Sequence, residues 1–441
     1  MTLAILLQFA VVLAAIWMGA RYSGVGLGLW GAVGLLVLVV AFGVNPTSPP
    51  IDVMLIILAV IMAASVMDAS GGIDFLVRIA ERIIRANPKY VTIVAPLTTW
   101  SFTFLAGTGH IVYPLLPVIY ETAHQNGIRP ERPMAVATIA SQQAITASPV
   151  AAATAAMIGL FAEKGITQWG LPQILMVCVP ATLTGVVAAA IVSMFVGKDL
   201  KDDPEYQARL KAGVIPAPKL GAERAPLKPA AKASAFLFLA GVALVVLFGF
   251  FPALRTLPGQ KSAMQMPIVI EIVMMAVAAV MLLVTKVDVN EIPKTSTLRA
   301  GVVAVIGIFG LAWLGDSFIA ANKDVIVPAI GAQADAHPWT FAFGLFFASV
   351  LLYSQAATTR ALMPLGIALG IPPQFLIAMF PSVNGYFFIP TYGSLIAAIN
   401  FDLAGTTKIG KYVLNHSFMI PGVVSTAVAV ITGLFLAKIM F

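Results

Sequence analysis

The chain alternates long apolar runs with short polar breaks from one end to the other. Ten runs are long enough to cross a hydrocarbon core about 30 Å thick. They lie at 2–20, 22–43, 51–69, 134–161, 171–197, 233–254, 265–285, 300–320, 375–399 and 414–439. Two further apolar segments, 91–123 and 339–370, are broken near their middles by Gly, Pro and polar residues. Each is too long for one span and short for two, which predicts a re-entrant helical hairpin. The run IDFLVRIAERIIRANPKY at 73–90 places Arg78, Arg82 and Arg85 at helical spacing. It predicts an amphipathic helix on the membrane surface.

If both hairpins return to their own side, Lys and Arg divide 20 to 5 between the two faces, with Arg360 left inside a hairpin. The positive-inside rule makes the richer face cytoplasmic. Both termini then face the periplasm, and 198–232 is a cytoplasmic linker. The halves share one plan: three crossings, a hairpin, two crossings. Five crossings is an odd number, so the second half is inserted upside down, as in the inverted repeats of secondary transporters. The first repeat is 1–197, with hairpin 91–123 and broken helix 134–161. The second is 233–441, with hairpin 339–370 and broken helix 375–399. Three matches mark the duplication. Asp68 and Asp316 are 248 apart, GTGHIVYPLLP (107–117) and SQAATTRALMP (354–364) are offset by 247, and SQQAITASP (141–149) and SVNGYFFIP (382–390) by 241.

Composition bears on what remains open. Only 10% of the 441 residues are charged, against about 25% in soluble proteins. The expected class is therefore an all-α polytopic membrane protein with the lipid bilayer as its main partner. Long unbroken apolar runs exclude a β-barrel. The net charge of +7 follows from the loop bias and calls for no nucleic acid. The single Cys178 has no disulfide or metal-site partner. There is no HExxH, GxSxG, P-loop or Cys/His cluster, so neither an enzyme, a cofactor, a metal nor a self-contained pump is expected. The first segment has no basic residue before it and reads as a retained helix.

Four polar interruptions fall in symmetric places, where broken helices present backbone groups to a midplane cavity. The first hairpin supplies Thr108, Gly109 and His110, and the first broken helix Ser141, Gln142, Thr146 and Ser148. The second hairpin supplies Ser354, Gln355, Thr358, Thr359 and Arg360, and the second broken helix Asn384 and Thr391. Half-helix N-termini bind carboxylates, and a guanidinium fits one with two prongs. Burying Arg360 in a membrane costs about 2.5–3.5 kcal/mol on insertion scales, so it reads as an unpaired cation kept for a carboxylate. The plainer alternatives are a snorkelling arginine and hydroxyls that bond their own helix. Asp68 and Asp316 read first as solvated residues at crossing ends. With His110 they are the candidates for proton or cation coupling.

Several strings resemble one family. NPKYVTIVAP (87–96), FLAGTGH (104–110), AITASP (144–149), AWLGDSF (312–318), HPW (337–339), LLYSQAATTRALMP (351–364) and AGTTKIGKYVLNH (404–416) resemble the anaerobic C4-dicarboxylate transporters of the DcuA/DcuB type. The likeness runs nearly end to end. It implies exchange or uptake of fumarate, succinate, malate and aspartate, inverted repeats, a homodimer and an elevator-like motion. Within that picture, Arg360 pairs one carboxylate of a four-carbon diacid and Thr108, Gly109 and His110 face the other. The family often has Asn where this chain has His110, and Lys where it has Arg360. No Ser-Asn-Thr sodium signature stands at Ser141 or Ser382, which disfavours obligatory sodium coupling. The alternatives are a proton-coupled symporter, a carrier of monocarboxylates or citrate, and a membrane partner of a sensor histidine kinase. A channel has no charge ring or filter repeat to support it.

Overall fold

The computed structural model describes residues 3–22, 24–215, 226–260, 262–352, 354–412 and 414–441, without the side chains of Ala20 and 327–336. The chain starts with α1 (Leu3–Tyr22), α2 (Gly26–Phe42), α3 (Ile51–Ala69) and the amphipathic α4 (Gly72–Ala86). Then come α5 (Val91–Ala106), α6 (Val112–Gln125), α7 (Glu131–Gln143), α8 (Ala152–Glu163) and α9 (Leu171–Ser193). A short α10 (Pro204–Lys211) lies in the linker. The second half contains α11 (Ala231–Phe250), α12 (Met266–Thr285), α13 (Ser296–Gly307), α14 (Trp313–Ala336), α15 (Phe341–Leu352) and α16 (Gln355–Ala368). It ends with α17 (Pro373–Met379), α18 (Gly393–Phe401) and α19 (Met419–Met440). Among the described residues the only β pairing is an isolated bridge between Ile409 and His416.

Among the described residues, six continuous helical stretches are long and apolar enough to cross a membrane: Ile51–Ala69, Leu171–Ser193, Ala231–Phe250, Met266–Thr285, Ser296–Ile326 and Met419–Met440. Helices α1 and α2 are apolar too. Segments 131–163 and 373–401 are interrupted, the first at 144–151 and the second at 380–392. Segments 91–125 and 341–368 are each two helices meeting at a turn. The chain is therefore an all-helical, multi-pass membrane protein.

Two boundaries differ from the expected ones. The crossing placed at 300–320 is part of a longer rod, because α13 and α14 join through a π turn at Ile308–Ala312. That turn lies where α2 presents Gly28 and Gly31 to the backbone of Gly310 and Leu311. With no side chain between them the two backbones meet directly, and the π turn locally reshapes the helix at this contact. The last crossing starts at Met419, not 414, because the preceding residues wrap around Asp402. Its carboxylate accepts hydrogen bonds from the backbone N–H of Ala404 at 3.0 Å and Gly405 at 3.1 Å, and from Thr406 Oγ1 at 2.6 Å. The linker is also more than a separator. Its Leu200, Tyr206 and Ile215 are buried, Tyr206 OH bonds His124 Nε2 at 2.9 Å, and Arg129 pairs with Glu131 (2.5 Å) and Asp203.

Helices pack into two groups. In one, α2 lies against α1, α13 and α14, and α3 against α11, α12 and α13. In the other, α5 packs on α7, α9 on α19, α8 on α16, and α6 on α18. The amphipathic α4 buries Leu76, Val77, Ala80 and Ile84 and bridges α5, α6 and α11. It thereby joins the two groups at one edge.

Candidate functional site

Each hairpin turns back through a hydroxyl-capped helix start. Helix α5 ends at Gly107, whose φ of +70° is a left-handed conformation that glycine adopts without strain. A Cβ there would also lie 2.7 Å from the Val150 carbonyl oxygen. Thr108 is extended (φ −137°, ψ 131°), and its Oγ1 accepts from the His110 N–H at 3.3 Å. In the second hairpin Ser354 is extended (φ −147°, ψ 117°), and its Oγ accepts from the Ala357 N–H at 3.2 Å. Both residues are N-caps. Beyond each cap, backbone N–H groups without helical partners and the positive end of the helix dipole point outward.

Both helix starts line one cavity of about 420 Å³, a size that suits a small molecule. Residues 107–110 and 354–357 form one wall, with Gln142 and Tyr392 from the two broken segments. The other wall comes from α3 and α13 and includes Thr297 and Arg299. A chain of buried amides holds the tips in register. Gln355 Nε2 donates to Gln142 Oε1 at 2.9 Å and to Asn384 Oδ1 at 3.2 Å. Asn384 Nδ2 donates to Gln143 Oε1 at 3.3 Å, and Gln143 Nε2 to Thr426 Oγ1 at 2.9 Å. Such a network specifies one arrangement, because each lost partner strands a buried polar group. Asn384 can join it because its backbone departs from helical geometry (φ −102°, ψ 27°).

Of the residues expected at the site, Thr108, Gly109, His110, Gln142, Ser354 and Gln355 line this cavity. The others lie off its lining. Ser141 Oγ donates to the Gly109 carbonyl at 3.0 Å and Ser148 Oγ to the Phe104 carbonyl at 2.7 Å, so both brace the first hairpin. Thr146, Thr358 and Thr359 are fully buried. Their hydroxyls bond the carbonyls of Gln143, Ser354 and Gln355 at 2.9, 2.8 and 2.7 Å. Asn384 acts through the amide chain, and Thr391 is the exposed neighbour of Tyr392. Asp68 is partly buried and accepts a 2.8 Å hydrogen bond from Thr297 Oγ1. It lies within electrostatic reach of His110.

Two expectations need correction. Arg360 is not an unpaired cation. Its side chain is 0% exposed, Nη1 donates to Glu163 Oε2 at 2.9 Å and Nη2 to Asp316 Oδ2 at 3.2 Å. Asp316 in turn is no solvated residue at a crossing end, since its side chain is only 10% exposed. The physical reason is shared: a guanidinium leaves water only when carboxylates replace the water, and α8 and α14 supply one each. The carboxylates, not Arg360, border a second cavity of about 640 Å³, which also meets Asp52, Lys164 and Lys323. It reaches α16 at Pro364, Ile367 and Ala368, the end of the helix away from Ser354. Two residues of these sites carry no signal in the sequence pattern: Arg299 enters only the count of basic loop charges, and Glu163 is not marked out at all.

The comparisons agree with this architecture. The family model for the anaerobic C4-dicarboxylate membrane transporters matches residues 4–441. The C4-dicarboxylate transporter DcuA of Escherichia coli K12 is 43% identical over 437 residues, covering 99% of this chain and 100% of that protein. DcuA of Wolinella succinogenes is 40% identical over 439 residues (98% and 99%). The anaerobic C4-dicarboxylate transporter DcuB of Escherichia coli O6:H1 is 38% identical over 433 residues (97% and 97%). These relatives are named as transporters, not enzymes. In fold, the crystal structure of the YdaH transporter of Alcanivorax borkumensis is similar at a TM-score of 0.51 and 15% identity, covering 100% of this chain and 98% of that one. Matched along almost its whole length, the chain belongs to the anaerobic C4-dicarboxylate membrane transporter family, DcuA/DcuB.

Proposed function

We propose that the protein exchanges C4-dicarboxylates across the bacterial inner membrane and binds them in the hairpin cavity. The observation that carries this reading is the convergence of two capped helix starts, at Thr108 and Ser354, on one cavity. The two helix N-termini offer two sets of donors to one carboxylate, and a four-carbon diacid extends its second carboxylate from the tips into the cavity. Fumarate, succinate, malate and aspartate all have this shape. Gln142 and Gln355 supply neutral amide contacts between the tips, and His110 a further donor.

The contact pattern supports an inverted repeat. Gln143 and Asn384 are 241 apart, the offset of the broken-helix motif, and they hydrogen-bond one another. Equivalent residues that touch belong near a two-fold axis. Likewise α8 packs on α16 while α18 packs on α6. The separation into two packed groups, with both hairpins in one of them, supports an elevator in which that group slides against the other. By the charge bias, Arg299 lies on the cytoplasmic face, so the cavity as seen here opens inward and both termini are periplasmic.

Counterflow in proteoliposomes tests the proposal. Labelled fumarate is expected to enter vesicles loaded with succinate or aspartate, and not vesicles loaded with butyrate. Equal uptake in all three would overturn exchange of diacids. His110 on the cavity wall favours a second reading, proton-coupled uptake. Uptake into empty vesicles that follows an imposed proton gradient would establish it.

A further inference from the structure

Charge around the hairpin cavity is distributed unevenly. Its lining of amides, hydroxyls and apolar groups includes two nitrogen-bearing ionisable side chains, His110 and Arg299. Arg299 stands in the first turn of α13, exposed, on the wall opposite the tips. Among the described residues no acid pairs with its guanidinium. Thr297, two residues earlier, donates its hydroxyl to the Asp68 carboxylate at 2.8 Å. The contrast with Arg360 is direct, since that guanidinium has both prongs on carboxylates and lies off the cavity lining.

The repeat sharpens the point. At the 248 offset that relates Asp68 to Asp316, Arg299 corresponds to Ile51, and Ala300 to Asp52. Ile51 and Asp52 line the second cavity. The mouth of the hairpin cavity thus carries a free cation where the corresponding mouth carries an apolar residue and an acid. Helix N-termini stabilise an anion through partial charges, but a second full negative charge brought out of water needs a formal counter-charge.

We propose that Arg299 is a substrate-binding residue that meets the second carboxylate of a diacid whose first carboxylate sits at the hairpin tips. It thereby sets the preference for diacids over monoacids. This rests on the dicarboxylate reading above. In the bound state the guanidinium donates two hydrogen bonds to the carboxylate, and the planar fork explains why arginine suits the position better than lysine.

The test is equilibrium binding to purified full-length protein, with succinate and butyrate as probes. Arg299→Gln is expected to weaken succinate binding about tenfold or more, equivalent to about 1.4 kcal/mol, while butyrate binding changes little. Arg299→Lys should recover part of the loss. Ala300→Glu, which puts an acid beside the guanidinium on the same wall, should weaken succinate selectively and gives an independent readout if Arg299→Gln fails to fold. Unchanged succinate affinity in Arg299→Gln, or in Ala300→Glu where only that variant folds, would overturn the proposal and leave Arg299 an interfacial charge. A wild-type protein that binds butyrate as well as succinate would remove the dicarboxylate reading itself, and the role of Arg299 with it.

Discussion

The two arginines near α16 and α13 occupy opposite physical regimes. Arg360 has no exposed surface and two carboxylate partners from different helices. Arg299 is exposed on a cavity wall and has no acid partner. The first lies inside an apolar segment and looks like the functional charge. The second lies near a loop and looks incidental. Packing reverses that impression. A cation deep in the chain is tolerated because acids from α8 and α14 reach it, and those pairs occupy the donors a substrate would use. A cation beside a water-accessible cavity needs no partner and stays available for an anion.

That contrast can be broken first at Arg360. Arg360→Gln would leave the mostly buried Asp316 without its cation, and breaking a buried pair costs about 3–5 kcal/mol. A large drop in thermal stability in detergent is expected, with partial recovery in the double variant Arg360→Gln, Asp316→Asn. A single variant as stable as the parent would show that the cluster holds nothing together. Next in size is Gln355→Ala. It removes the donor shared by Gln142 and Asn384 and strands two buried acceptors at about 1–3 kcal/mol. Loss of both stability and succinate binding is expected, because the amide chain sets the tip geometry. Stability lost with binding intact would separate the chain from the site.

Gly107→Ala should cost about 1–2 kcal/mol from its left-handed backbone alone, before the approach of Val150 is counted. The readout is transport by a protein that still purifies as a folded species, and transport at the parental rate would show that the tip has room to spare. The smallest change is expected at Lys408→Gln. It removes the exposed pair with Glu205 that ties the 402–417 loop to the linker, and exposed pairs contribute about 0–1 kcal/mol. Protease nicking near residue 211 should rise slightly with succinate binding unaltered, whereas loss of binding would make the linker part of the site.

Much of the architecture was legible because hydropathy and breaks report directly on it. The turns at Gly107–Thr108 and Ser354 were readable as polar interruptions, and the structure makes both of them helix caps. What the sequence withheld are pairings fixed by tertiary approach. Glu163 is 197 residues from Arg360 and sits beside Lys164 in what reads as a loop. Nothing in its neighbourhood marks it as a partner. Ser141 and Ser148 could face a ligand or a carbonyl by sequence alone, and the short distances from α7 and its break to the first hairpin decide for carbonyls. Arg299 was absorbed into a count of loop charges, because only the packing of α13 on α2 and α3 turns it toward the cavity.

The most direct measurement uses the protein's own cysteine content. Its single cysteine, Cys178, is buried, so a Ser354→Cys variant places the one accessible thiol at the second hairpin tip. The rate of its reaction with a maleimide is followed with and without ligand. The account predicts that succinate and fumarate slow the reaction at concentrations where butyrate does not. A rate unchanged by every diacid, in a variant that still exchanges fumarate for succinate, would contradict the placement of the substrate between the hairpin tips.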